Sequence, residues 1–159
     1  MRIREPLTLA RVRHNIAERR REARAGTRYD LAVELRSIRR VVGRVALKRV
    51  DRQNRQAELA YWLGVPYWGT GLATEAAWTL CRAGFEDLRL HRIAAGVFGF
   101  NERSVALLER IGFRLEGSFR DGVRYRRTWV PELRYGLLRG ELRNPAVPPR
   151  GAVRPNRET

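Results

Sequence analysis

A glycine-rich break, Gly64 to Gly71, separates two stretches of different periodicity and sets what this chain can fold into. Before the break, Tyr29, Leu31, Val33 and Leu35 alternate with Asp30, Ala32 and Glu34. A period of two is the signature of a half-buried strand. Val41 to Val50 and Ala57 to Leu63 read as the second and third strands, and the short spacings favour antiparallel neighbours. After the break, Ala77, Leu80, Cys81, Gly84, Phe85 and Leu88 recur at helical spacing. His91 to Phe98 then predicts a strand. Asn101 predicts the cap of a short helix that runs to Ile111, with Gly112 closing it. Phe113 to Phe119 and Glu132 to Leu138 predict two final strands joined by an arginine-rich connection. Upstream, Leu7 to Ala25 reads as a basic helix with a thin apolar stripe of Leu9, Val12 and Ile16, stopped by Gly26. Three hairpin-like strands followed by loop, helix, strand, helix and two strands indicate an α+β fold with a sheet of mixed direction.

A chain of 159 residues buries about 70% of its unfolded surface, enough for one domain and too little for two. The domain is expected over residues 1–142, with 143–159, rich in Pro and Arg, as a disordered tail. No stretch approaches the ~18 apolar residues of a membrane span, and the first 20 residues do not resemble a signal peptide, so a cytoplasmic protein is expected. One cysteine, Cys81, and two histidines, His14 and His91, leave no basis for a disulfide framework or a metal site; all three are read as structural. The net charge is +16, and Lys48 is the sole lysine among 33 basic residues. Two readings fit that surplus: arginine codons of a GC-rich genome, or an acidic partner such as ribosome or RNA.

The candidate chemistry lies in Trp68-Gly69-Thr70-Gly71-Leu72-Ala73-Thr74, just before the best helix. Glycines let the backbone approach a ligand, and the helix behind adds unpaired amides and the positive end of its dipole. The segment lacks the Lys-Ser/Thr ending of a P-loop. On its residues alone it reads as either a turn or a phosphate cradle.

Taken with Glu58-Leu59-Ala60-Tyr61-Trp62-Leu63, Asn101-Glu102-Arg103-Ser104 and Gly112 to Gly117, the loop resembles the GNAT acetyltransferase superfamily. It is similar in particular to the ribosomal-protein N-acetyltransferases of the RimJ/RimL type. The resemblance covers about residues 27–142. It implies a mixed, mostly antiparallel sheet flanked by helices, and an acetyl-CoA site. Main-chain groups near Trp62 and Leu63 would hold the pantetheine arm as an added strand. Amides from Gly69 to Thr74 would hold the pyrophosphate, behind Trp68 in the place of the family's polar residue. Asn101 would bond the pantetheine from the far side while also capping its helix. Ser104 would stand near the sulfur in place of the tyrosine many relatives carry four residues later, where this chain has Leu108. Tyr125 and Tyr135 are the alternative proton donors. Glu58 lies where many members carry a catalytic carboxylate, while Ala94 and Val123 replace acidic residues seen in relatives, with Asp121 as a substitute.

The resemblance further implies transfer to a primary amine. An α-amino group near pKa ~7.8 is neutral in roughly one molecule in ten at pH 7, and a lysine near ~10.4 only once in two or three thousand. A site with a weak base therefore suits a protein N-terminus, with a small-molecule amine as the alternative acceptor. The rival reading is a GNAT-fold binding module for CoA or an acidic partner. The resemblance implies that the strand and first helix with which family members begin are absent from this sequence. The strand Tyr29 to Leu35 is therefore expected to be a free edge, open to homodimer pairing.

Overall fold

The computed structural model describes residues 8–146. Of the basic helix expected from Leu7 and the tail expected from residue 143, Leu7 and residues 147–159 lie outside the described residues.

Helix α1 (Leu9–Arg24) begins where the Thr8 side chain accepts from the Arg11 amide, and it buries no residue. Strands β1 (Arg28–Leu35), β2 (Arg40–Asp51) and β3 (Gln56–Leu63) form the antiparallel run expected from their spacing. Helix α2 (Leu72–Glu86), strand β4 (Arg92–Phe98) and helix α3 (Glu102–Ile111) follow, then strands β5 (Arg114–Tyr125) and β6 (Thr128–Leu138). The sheet order is β1-β2-β3-β4-β6-β5, antiparallel throughout except between β3 and β4.

Three sequence expectations need correction. Helix α2 starts at Leu72, a full turn before the apolar repeat, because its first turn is only partly buried, with Ala73 and Ala76 at the margin of the core. Strand β5 does not end at Phe119, and the arginine-rich connection is itself a long hairpin turning between Tyr125 and Thr128. A bulge between Phe119 and Val123, with Asp121 at φ 51°, breaks the alternation that would have marked the strand. Leu31, expected inward, is 52% exposed. Helix α2 packs over β2 and β3, leaving the middle of edge strand β1 uncovered.

The pleat sorts the sheet into two faces. Ala57, Leu59 and Tyr61 of β3, Ile93, Ala95 and Val97 of β4, and Leu133, Tyr135 and Leu137 of β6 point toward α2 and α3 and belong to the core cluster. Leu47, Leu90, Ile93, Leu108, Ile111 and Leu137 are fully buried there. Each such side chain stabilises the fold by roughly 1.5–3 kcal/mol. The intervening residues, Glu58, Ala60 and Trp62 of β3, Ala94, Gly96 and Phe98 of β4, and Glu132, Arg134 and Gly136 of β6, point to the opposite face.

Candidate acetyl-CoA cleft

Strands β3 and β4 begin side by side, held at their base by the Arg55 carbonyl, which accepts from the His91 and Arg92 amides. Their rungs are Gln56 with Arg92, Ala57 with Ile93 and Glu58 with Ala94, and there the ladder stops. Both strands continue, β3 to Leu63 and β4 to Phe98. Beyond Glu58 and Ala94 they are therefore splayed, and main-chain groups on the facing edges can receive an extended ligand as an added strand.

Each strand leads to one wall of the mouth of this split. Strand β3 leads through a short 3-10 turn (Val65–Tyr67) into the glycine loop. Gly69 and Gly71 have φ of 77° and 84°, the left-handed region that side chains disfavour, and a Cβ on either would meet nothing within 4 Å. Gly71 is the N-cap of α2 and supplies no side-chain bond. The first helical amide with a main-chain partner is that of Glu75, which donates to the Gly71 carbonyl. The amides of Leu72, Ala73 and Thr74 precede that first bond at the positive end of the helix, which suits an anion. The Thr70 hydroxyl donates to the Tyr67 carbonyl and fixes the turn.

Strand β4 leads into α3, where the Asn101 side chain accepts from the Ser104 amide at 3.2 Å. Asn101 thus caps its helix as expected, at the far side of the split. Ser104 lies half-buried in the first turn. Trp68 joins the two walls: its indole nitrogen donates to the Leu63 carbonyl at 2.8 Å, and Arg103 of α3 lies over its ring. Trp62 points to the opposite face and is 43% exposed.

One residue at the cleft was missed in the sequence. The Tyr61 hydroxyl donates to the Ser104 carbonyl at 3.4 Å, tying β3 to the first turn of α3 across the split. Burial pushes its phenol up to about 12. Its only sequence signal was the Tyr61-Trp62 pair itself. Of the other candidate donors, Tyr135 is buried in the core and donates to Glu109, while Tyr125 packs against Phe98 and Phe100. Leu108 is fully buried and offers no proton.

The face opposite α2 and α3, where α1 also lies through its Arg19–Asp30 pair, is a field of ion pairs. Asp30 is held by Arg28 and Arg44. Glu58, 15% exposed, has one oxygen on Lys48 Nζ at 2.6 Å and the other on Arg49 at 2.8 Å. Arg92 pairs with Glu116, and Arg134 with Glu132. Ala94 stands beside Glu58, Val123 is buried, and Asp121 lies in the β5 bulge rather than at the split. Arg13, Arg20, Arg21 and Arg24 line a groove of about 360 Å³ along α1, separate from this cleft. Among the described residues no group of three His, Cys, Asp or Glu side chains gathers to hold a metal.

Residues 1–114 match the acetyltransferase (GNAT) domain family. The chain belongs to that family. It is 38% identical over 99 residues to the Bacillus subtilis protein named "Putative ribosomal N-acetyltransferase YdaF", covering 62% of this chain and 54% of that one. It is 32% identical over 97 residues to the spermidine N(1)-acetyltransferase of Escherichia coli K12, covering 56% of this chain and 52% of the other. The chain thus spans about half the length of these curated relatives. Among solved structures, Mycobacterium smegmatis RimJ in complex with CoA-disulfide superposes with a TM-score of 0.78 at 28% identity, covering 88% of this chain and 71% of that one. The mixed sheet and flanking helices of this chain are the GNAT fold.

Proposed function

We propose that this GNAT domain transfers an acetyl group from acetyl-CoA to a primary amine, and that its acceptor is the α-amino group of a protein N-terminus. The observation that carries the reading is the ladder break after Glu58 and Ala94, opening beside an uncapped helix whose glycines leave room at Gly69 and Gly71.

Acetyl-CoA supplies an acetyl thioester. Amides from Gly69 to Thr74 hold its pyrophosphate, and main-chain groups near Trp62 and Leu63 receive the pantetheine arm, with Asn101 on the other wall. Trp68 orders the loop through its bond to Leu63. Ser104 stands at the first turn of α3, where its hydroxyl can give a proton to the departing sulfur. Tyr61 is a positioning residue that holds this turn against β3. The amine approaches from the face opposite α2 and α3, which cover the other.

Charge favours a peptide over a polyamine acceptor. A net charge of +16 repels a polycation such as spermidine and attracts the anionic surface of a ribosome. The spermidine acetyltransferase relative supports the second acceptor class, at a similar span of the chain. Mass spectrometry after incubation with acetyl-CoA tests the choice. Acetylation of the α-amine of a peptide with a free serine or alanine N-terminus, ahead of spermidine, is the expected result. Modification of spermidine alone would reverse the assignment.

A further inference from the structure

We infer that Glu132 is the catalytic carboxylate that receives the acceptor ammonium and takes its proton; the inference rests on the acetyl-transfer reading above. Gly96 is the first residue of β4 beyond the last rung that points to the acceptor face, so it borders the split where the two strands part. Glu132 reaches back over it. A Cβ placed on Gly96 would lie 2.8 Å from Glu132 Oε1. The carboxylate therefore occupies the place a side chain at position 96 would fill, at the opening through which an amine must reach the thioester.

The two carboxylates nearest this opening differ in what holds them. Both oxygens of Glu58 are taken, by Lys48 and Arg49. Glu132 pairs with Arg134, whose guanidinium lies 3.1 Å from Oε2, and is 24% exposed. Its Oε1 accepts no hydrogen bond among the described residues. Strand β4 presents Gly96 and Phe98, strand β5 presents Phe119 and Gly122 with the charged Arg120 and Asp121 between them in the bulge, and Arg134 on its own strand is the charged group that pairs with it. Phe98, opposite Glu132 in register, stacks with Phe100 and packs on Tyr125, giving the site an aromatic wall on one side. Arg134 keeps the carboxylate aimed, and Oε1, which accepts no hydrogen bond, remains for an ammonium.

The step balances as follows. One proton passes from the acceptor ammonium to Oε1, and the freed nitrogen lone pair forms the bond to the acetyl carbon. The carbon–sulfur bond breaks with its electron pair on sulfur. The Ser104 hydroxyl gives its proton to that sulfur and is reprotonated by the nitrogen's second proton, and the third stays on the amide. Glu132 then returns its proton to water.

The test compares Glu132→Gln, Glu132→Asp and Glu58→Gln with the parent chain, using a peptide with a free serine N-terminus and spermidine as probes. Glu132→Gln should lower kcat by about 100-fold, the low end of what a general base supplies. Glu132→Asp should recover part of it. The deficit should narrow as pH passes ~8 for the peptide, whose α-amine is then already neutral, and persist for spermidine. Calorimetry on protein saturated with CoA gives a readout separate from turnover: the probe should bind at least several-fold more weakly to Glu132→Gln, while the thermal shift given by acetyl-CoA stays the same. A parent chain that turns over either probe, with Glu132→Gln equally active or with Glu58→Gln showing the larger pH-dependent loss, would overturn the role of Glu132 and leave acetyl transfer standing. A parent chain that acetylates neither probe would overturn both.

Discussion

The guanidinium of Arg103 lies 5.2 Å from the centre of the Trp68 ring, and the same ring donates its indole N–H to the Leu63 carbonyl. Strand β3 is thereby tied to the first turn of α3 across the mouth of the split. The cation–π contact is worth about 0.5–1 kcal/mol at an exposed site and the hydrogen bond about 1 kcal/mol. Trp68→Ala should therefore lower Tm by roughly 3–6 °C and weaken acetyl-CoA binding. Trp68→Phe, which keeps a ring and loses the donor, should fall between. Equal melting of all three proteins would show that the bridge does not form in solution.

Gly71→Val separates a ligand cradle from an ordinary turn. At φ 84° a β-branched residue is strained by about 1–2 kcal/mol, yet its Cβ meets no protein atom within 4 Å. The variant should fold with a modestly lower Tm and lose the thermal stabilisation given by acetyl-CoA. Full stabilisation of the variant would mean that the loop amides hold no phosphate.

Gly112 makes the opposite test, of structure alone. At φ 108° it closes α3, and a Cβ there would overlap the Glu141 carbonyl oxygen. Strain and backbone clash together should destabilise Gly112→Ala by more than about 2 kcal/mol. Urea denaturation gives the value directly.

Burial of Tyr61 and Cys81 makes stability fall in alkali. Desolvation raises the Tyr61 phenol to about 12, and burial raises the Cys81 thiol strongly. In both, the folded state favours the neutral form. Their contribution is complete below the unfolded values, ~8.5 for the thiol and ~10 for the phenol, and is lost as pH climbs toward the folded ones. The phenol accounts for about 2–3 kcal/mol between pH ~10 and ~12. Tyr61→Phe should remove that part of the decline, as denaturant titrations from pH 7 to 11.5 would show. The same burial should keep Cys81 unreactive toward a maleimide until the protein unfolds.

The elements most readable in the sequence were those with one buried face. Strand β4 alternates cleanly because one side packs on the core, β2 and β3 carry apolar residues that bury there, and Asn101 and Gly112 mark the ends of α3 by cap chemistry. The outer part of β5 was not readable, since Val123 is its one buried residue and the bulge at Asp121 resets the phase. The site divides in the same way. The glycine loop announces itself through residues that only a special backbone requires. Glu132 is a charged residue on a strand until β4 places Gly96 beneath it, and Tyr61 is a strand aromatic until α3 brings the Ser104 carbonyl to its hydroxyl. Such pairings depend on sheet order, which local spacing does not encode.

Release of free CoA thiol from acetyl-CoA, followed by a thiol reagent with and without a peptide bearing a free serine N-terminus, tests the proposed activity most directly. Thiol should appear only when both substrates are present, at a rate that saturates with each and drops sharply in Ser104→Ala, while acetyl-CoA still raises Tm. Thiol release that is the same without amine, or none with any primary amine despite acetyl-CoA binding, would contradict acetyl transfer and leave a GNAT domain that only holds CoA.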